Sequence, residues 1–290
     1  MNLHVWKDVD YRGLPVRLDY TTKDISGNPW YKYALVYLPY GYDDTKPYNI
    51  LYLMHGGGGN PDAWTDCSQI KNALDQAFND KLAEPFIVVF PTFYSLTPSQ
   101  ARIKGIDASW EDNNVKHFQE EFTEDLVPLV ESRYHTYAER DVTPESLQKS
   151  RLHRGFGGFS MGGATTWYTF LYHLDIISYF VPMSGDCWVI QPMGGRLAPE
   201  RTADALAEKV KSLGFTKDDF KLFVGTGSKD AGFDNLDPQL QAMEEKYPEY
   251  FEFSEDPEKG NLHFEVKEDA VHAYEEVYHH VWNYLPYLFK

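Results

Sequence analysis

The chain has 290 residues but only two cysteines, Cys67 and Cys187. Two cannot form the multi-bridge framework that staples small secreted domains, and a chain this long buries enough apolar surface to fold without one. Two free thiols are expected, with a single bridge still open to residues so far apart in sequence. No apolar run approaches the length of a membrane-spanning helix. The opening MNLHVWKDVDYRGLP lacks the basic start and apolar stretch of a secretory signal. There is no C-x-x-C and no H-E-x-x-H, so the usual metal-ligand spacings are missing. His279 and His280 are adjacent, and adjacent side chains on a helix diverge. Neither a metal nor a cofactor is therefore expected. Positive charge is also scarce: 27 Lys and Arg stand against 44 Asp and Glu, a net charge of −17. Phosphate-rich partners would be repelled, which argues against nucleic acid and anionic membrane surfaces. Repeats and low-complexity linkers are absent too.

Aromatic residues, in contrast, are plentiful: 16% of the chain, including 21 Tyr. Many belong to core and strand surfaces, and some could line a groove for a planar or sugar ligand. Segments with strand and helix character alternate along the chain. RLDYTTKD and KYALVYLPYGY read as early strands joined by the turn SGNPW. NILYLMHGGGG, FIVVFPTFY, RLHRGFGGFS, SYFVPMSGD, FKLFVGTGSKD and LHFEVKEDA read as further strands. Helices are expected over CSQIKNALDQAFNDK, over residues 113–134 with a kink at Pro128, after Ser160, from about Pro199 to Leu213, over DPQLQAMEEKY, and at the end of the chain. This alternation predicts an α/β fold in one domain over residues 1–290, a mostly parallel sheet covered by helices on both faces. Sites in such sheets lie in loops at the carboxyl ends of the strands. HGGGG, GFSMG, SGDCW, GTGSKD and EDAVHAY all fall there.

Gly158-Phe159-Ser160-Met161-Gly162 fits G-x-S-x-G between an apolar strand and a helix. At such a turn the serine takes strained backbone angles, and its small neighbours avoid clashes with adjoining elements. The turn also sets Oγ at a helix N-terminus, which favours developing negative charge. Ser160 is the expected nucleophile. It needs a base, and the base needs an orienting carboxylate, in the chain order Ser, Asp or Glu, His. His173 lies on the helix leaving the turn, His263 begins a strand at the wrong end, and His279 and His280 sit inside the last helix. His272 alone follows a strand's carboxyl end. Asp230 in GTGSKD best fits the acid, with Asp186 in SGDCW as its rival; Asp234 and Asp237 lie further along, and Asp269 is too near His272 on one short loop to orient its ring. The oxyanion requires N–H donors. Met161 supplies one, and the second is assigned to Gly57, with Gly56 or Gly58 possible. His55 is expected to anchor that loop. HGGGG is no phosphate loop, since G-x-x-x-x-G-K-[ST] and its lysine are missing.

Taken together, LYLMHGGGG, RGFGGFSMGG, PMSGDCW, GTGSKD, NLHFEV and VHAYEEVYHHVWNYLPYLF resemble the feruloyl esterases of carbohydrate esterase family 1. The nearest likeness is to the esterase domains of cellulosomal xylanases and of rumen fungal relatives. It runs from about Tyr31 to the C-terminus and rests on the order and spacing of the motifs. The resemblance implies an α/β-hydrolase fold and release of ferulic and p-coumaric acids from arabinose side chains of plant xylan. Feruloylated xylan or xylo-oligosaccharide would be the partner. It also implies that Ser160, Asp230 and His272 are nucleophile, acid and base, and that Trp188 is the aromatic found near the family's site. Such enzymes are usually secreted, although this chain shows no signal. Acetyl xylan esterases, S-formylglutathione hydrolases and mycolyltransferases share the wider fold. An acetyl esterase or acyltransferase on the same triad is thus the alternative, and a non-catalytic carbohydrate-binding domain a further one. Oligomeric state is not readable from the sequence.

Overall fold

The computed structural model describes residues 9–95 and 109–290. Four apolar segments form strands buried along their whole length: β3 (Ile50–Met54), β4 (Ile87–Phe90), β5 (Arg154–Phe159) and β6 (Tyr179–Met183). Apart from Arg154, which opens β5, their residues are apolar or glycine, because helices cover both faces of the sheet. β1 (Leu14–Lys23) and β2 (Pro29–Leu38) alternate towards the sheet edge, and β7 (Lys221–Gly227) and β8 (Leu262–Lys267) complete the other side.

The eight strands run in the order β1-β2-β4-β3-β5-β6-β7-β8. β2 is antiparallel to both β1 and β4, and strands β3 to β8 are all parallel. From β3 the chain moves outward to β4, then returns to place β5 on the opposite side of β3. Such a reversal of direction leaves a crevice at the carboxyl ends of the two inner strands. HGGGG leaves β3 and Ser160 leaves β5 at that crevice. The expected α/β architecture with its mostly parallel sheet is the one observed.

Apolar residues segregate into two cores. On one face, α1 (Ala63–Cys67), α2 (Ile70–Asn79) and α10 (Tyr274–Tyr284) pack Trp64, Leu74 and Val281 against Leu51, Leu53 and Val88. On the other face lie α3 (Ser109–Glu121), α4 (Val127–Arg133), α6 (Met161–His173), α8 (Pro199–Ser212) and α9 (Ala231–Lys246). Phe122 meets Phe156 edge-on there, with ring centroids 5.4 Å apart. Two short helices, α5 (Pro144–Lys149) and α7 (Gly194–Leu197), complete the set. Arg154, at the start of β5, is fully buried and grips Glu131 of α4 through Nε and Nη2, both at 2.7 Å. Removal of either partner would strand a buried charge at a cost of about 3–5 kcal/mol.

The helix expected over residues 113–134 differs in one respect. A π-helical turn over Phe122–Leu126 separates α3 from α4, and Pro128 falls in the first turn of α4. Proline has no N–H and its ring collides with the carbonyl four residues back; the wider turn absorbs that conflict in place of a simple kink. The helix expected from Asp237 begins earlier, at Ala231, because Asp230 caps it by accepting a hydrogen bond from the Gly232 N–H at 2.6 Å. Cys67 is exposed, Cys187 is buried, and both are free thiols. Among the described residues no helix is long and apolar enough to cross a membrane.

Candidate active site

Ser160 sits where β5 turns into α6, with φ 58° and ψ −116°. An L-residue takes this conformation only at a cost of order 1–3 kcal/mol, so the surroundings must enforce it. The Ser160 N–H donates to the Met183 carbonyl (2.8 Å), and its own carbonyl accepts from the Ala164 N–H (3.0 Å). The turn is so tight that a Cβ on Gly158 would lie 2.5 Å from the Gly162 backbone, and one on Gly162 only 2.6 Å from the carbonyl oxygens of Met54 and His55. Both flanking positions of the G-x-S-x-G pattern therefore exclude any side chain.

The turn presents Ser160 Oγ to His272 Nε2 at 2.9 Å. The other ring nitrogen, Nδ1, meets both carboxylate oxygens of Asp230, at 2.8 and 3.0 Å. A carboxylate only accepts, so Nδ1 carries the proton and Nε2 is left to accept from the serine hydroxyl. His272 keeps 43% of its side-chain surface exposed, whereas the Asp230 side chain is 1% exposed. Burial pushes the Asp230 carboxyl up, but hydrogen bonds from His272 and the Gly232 N–H outweigh it and hold the group below the usual carboxylate range. The loops bearing acid and base are also joined directly: the Lys229 N–H donates to the Ala270 carbonyl at 3.0 Å, and Lys229 Nζ pairs with Asp269 at 2.7 Å. Asp269 is thus directed to Lys229 and away from the imidazole.

Asp186, the rival acid, serves elsewhere. Its carboxylate accepts from the Gly195 N–H (2.8 Å) and from Trp188 Nε1 (3.1 Å). His263 is bound to the Ser254 carbonyl at the opposite end of the sheet, and His280 to Glu265. His173 donates to the Gln119 carbonyl at the far end of α6.

Met161 opens α6, so its N–H has no carbonyl within the helix to bind. In the glycine loop the neighbouring donors are committed. The Gly56 N–H donates to Tyr274 Oη (2.7 Å), the Gly58 N–H to Tyr94 Oη (2.8 Å) and the Gly59 N–H to the Gly56 carbonyl (3.1 Å). Gly57 makes no such bond among the described residues, and a Cβ there would lie 2.9 Å from Met161 Sδ. Gly57 thus packs against the Met161 side chain, and a Cβ on neighbouring Gly56 would lie 3.3 Å from Ser160 Cβ, so the loop stands beside the nucleophile. His55 holds this loop from beneath: it is wholly buried, donates from Nδ1 to the Gly56 carbonyl (2.7 Å), and accepts from Thr92 Oγ1 at Nε2 (2.6 Å). Tyr274 also packs on Phe159, 4.9 Å between centroids, and Phe159 lies 4.5 Å from the His272 ring. Tyr94, Tyr274 and Thr92 were not singled out from the sequence, because nothing local in it marks a tyrosine as a partner for a loop far away along the chain.

Burial pushes the imidazoles of His55 and His173 down to about 4. An unfolded histidine titrates near ~6.5, so between that pH and about 4 the unfolded state binds more protons and stability rises with pH. Each contribution, on the order of 3 kcal/mol, is complete above pH ~6.5 and is lost as the pH falls towards 4. Urea unfolding at pH 7 and pH 4.5 should show a smaller loss for His173→Gln than for the parent chain. Equal losses would contradict the neutral state of His173.

Trp188 follows β6 and is half-buried. Besides the Nε1 bond to Asp186, its carbonyl accepts from Tyr168 Oη at 3.1 Å. The indole is thus fixed at the polar edge of its ring. Among the described residues no cluster of His, Cys, Asp or Glu could hold a metal ion.

Comparison with known proteins agrees with this architecture. The sequence profile of the Esterase family matches residues 31–289. Endo-1,4-beta-xylanase Y of Acetivibrio thermocellus is 40% identical over 255 residues, which cover 88% of this chain and 21% of that protein. An endo-1,4-beta-xylanase/feruloyl esterase of Xylanibacter ruminicola is 27% identical over 68% of this chain and 23% of its own length. The chain spans about a fifth of the length of these two relatives. Among solved structures, a mutant of the feruloyl esterase module from Clostridium thermocellum complexed with sinapinate is 37% identical. It aligns with a TM-score of 0.80, over 97% of this chain and 94% of that one.

Proposed function

Since the chain belongs to the Esterase family, we propose that it is a serine esterase that hydrolyses feruloyl and related hydroxycinnamoyl esters of plant cell-wall arabinoxylan, as a single α/β-hydrolase domain. The observation that carries the chemistry is the unbroken hydrogen-bonded line from Ser160 Oγ through His272 to Asp230. His272 Nε2 takes the hydroxyl proton as Oγ bonds to the ester carbonyl carbon. The carbonyl oxygen becomes an oxyanion between the N–H groups of Met161 and Gly57. Collapse expels the sugar alkoxide, which leaves with the proton held on His272. Water then repeats the sequence on the acyl-enzyme, releasing the free acid and restoring Ser160. Asp230 keeps Nδ1 protonated and stabilises the imidazolium without itself becoming protonated.

The hydroxycinnamoyl assignment rests on the feruloyl esterase module and its bound sinapinate, and Trp188, in the loop after β6, is assigned as the wall for the planar acyl group. A chain acting on plant cell wall would work outside the cell. The experiment is turnover of methyl ferulate beside p-nitrophenyl acetate, with Trp188→Ala as the probe. The expected result is efficient ferulate release by the parent chain. In Trp188→Ala the loss of a stacking contact worth about 0.5–1.5 kcal/mol should raise KM for methyl ferulate roughly two- to thirteenfold, with acetate esters spared. Rapid acetate release without ferulate release would make the chain an acetyl esterase. Equal losses on both substrates would remove Trp188 from specificity.

A further inference from the structure

A second concavity, of about 190 Å³, lies at the same edge of the sheet as Ser160. β2 runs antiparallel to β4, so its amino-terminal residues Trp30, Tyr31 and Tyr33 stand beside the carboxyl ends of the parallel strands. They line the cleft with Asn60 and Pro61 from the glycine loop's continuation and with Tyr94. The glycine loop stands between the cleft and the reactive centre and touches both. Tyr94 Oη binds the Gly58 N–H, and Gly57, one residue earlier, borders Met161. β2 is three strands from β5. At about 4.8 Å per strand this sets the cleft on the order of 10–15 Å from the nucleophile.

Its chemistry selects the occupant. Lys32 is the charged residue among those lining the cleft, and its ammonium is buried against Glu121 at 2.6 Å. The Tyr33 hydroxyl is engaged by Asp62. Among the described residues lining the cleft, no unpaired charge is thus offered to a phosphate or a carboxylate. What remains is ring surface with a few neutral polar groups. Tyr31 is 84% exposed and has no aromatic partner among the described residues, so folding gives little reason for a large ring there. Aromatic rings that combine an apolar face with a polar tip suit a ligand with the same division. A sugar ring, apolar on its C–H faces and hydroxylated at its rim, has it, and the volume accommodates one pentose.

We propose that this cleft is a carbohydrate subsite, receiving a sugar residue of the leaving group one or two units beyond the ester oxygen, with Tyr31 as its stacking platform. The proposal rests on the esterase reading and adds the alcohol side to it. It is tested by comparing Tyr31→Ala and Tyr31→Phe on methyl ferulate and on a feruloylated arabinoxylo-oligosaccharide. Tyr31→Ala should lose roughly two- to thirteenfold in kcat/KM on the oligosaccharide, the equivalent of one ring contact, and stay within about twofold of the parent on methyl ferulate. Tyr31→Phe keeps the ring and should match the parent on both. Equal losses on both substrates would mean that the acyl ring occupies the cleft, and no loss on either would mean that nothing does; both results overturn the proposal. If the parent chain hydrolyses neither ester, the esterase reading fails. The subsite is then read separately, by NMR titration with unsubstituted xylohexaose, where binding that Tyr31→Ala does not weaken would overturn it.

Discussion

Ser160→Ala should lower kcat for methyl ferulate by roughly 10⁴-fold or more, a loss of about 5.5 kcal/mol in transition-state stabilisation, while leaving the fold intact. The two halves of that expectation come from different features. Among the described residues Ser160 Oγ bonds only to His272 Nε2, so its removal takes away the nucleophile and no structural contact. The strained turn is held instead by main-chain bonds to Met183 and Ala164 and by the space that Gly158 and Gly162 leave open. Alanine accepts those constraints as serine does. Residual turnover would come from the oxyanion donors and from substrate binding. Activity within tenfold of the parent would remove Ser160 from the mechanism; a large fall in the unfolding midpoint would show that the hydroxyl supports the turn.

Asp230→Asn should be nearly as damaging, with a loss approaching 10⁴-fold in kcat. Asparagine caps helices about as well as aspartate, so the bond from the Gly232 N–H and the start of α9 should survive. The charge that stabilises the imidazolium does not survive, nor does the acceptor-only partner that keeps the proton on Nδ1. An amide NH₂ facing Nδ1 would drive the ring to the other tautomer, in which Nε2 cannot accept from Ser160. Asp186→Asn is the matched control, because it touches Trp188 and Gly195 and not the imidazole. It should change kcat by less than tenfold. The reverse ranking would reassign the acid.

Much of this arrangement was legible in the sequence, for reasons that particular residues make plain. The inner strands Ile50–Met54 and Ile87–Phe90 are short and wholly apolar, so they could be read without any periodicity. The set Ser160, Asp230, His272 follows from the shared edge of such loops and the chain order of nucleophile, acid and base, with Asp186, also just past a strand's end, left as rival; the structure brings Ser160, His272 and Asp230 within hydrogen-bond reach. Other features were hidden because tertiary packing decides them. Ala63–Cys67 and Gly194–Leu197 are too short to show a helical period. Pro144 after Thr143 was a helix-start signal that the brief α5 made easy to overlook. The π turn before Pro128 shows how a proline can be absorbed where an interruption was expected. The sequence assigns the second donor to Gly57 with Gly56 or Gly58 possible, and what favours Gly57 over them is that Tyr274 and Tyr94 claim the N–H groups on either side of it. Tyr94 follows β4 and Tyr274 opens α10, both far from the glycine loop along the chain, so local sequence leaves Gly56 and Gly58 open.

In this mechanism Ser160 carries the acyl group through turnover. That role is tested most directly by rapid acid quench of the chain mixed with excess methyl ferulate, followed by proteolysis and mass spectrometry of the peptide spanning Gly155–Phe170. A feruloyl mass increment is expected on Ser160, present in the parent chain, absent from Ser160→Ala, and accumulating when His272 is replaced only to the extent that acylation still proceeds. Ferulate release by the parent with no adduct on that peptide under any quench time, together with failure of a fluorophosphonate to label Ser160 in the folded chain, would contradict this mechanism.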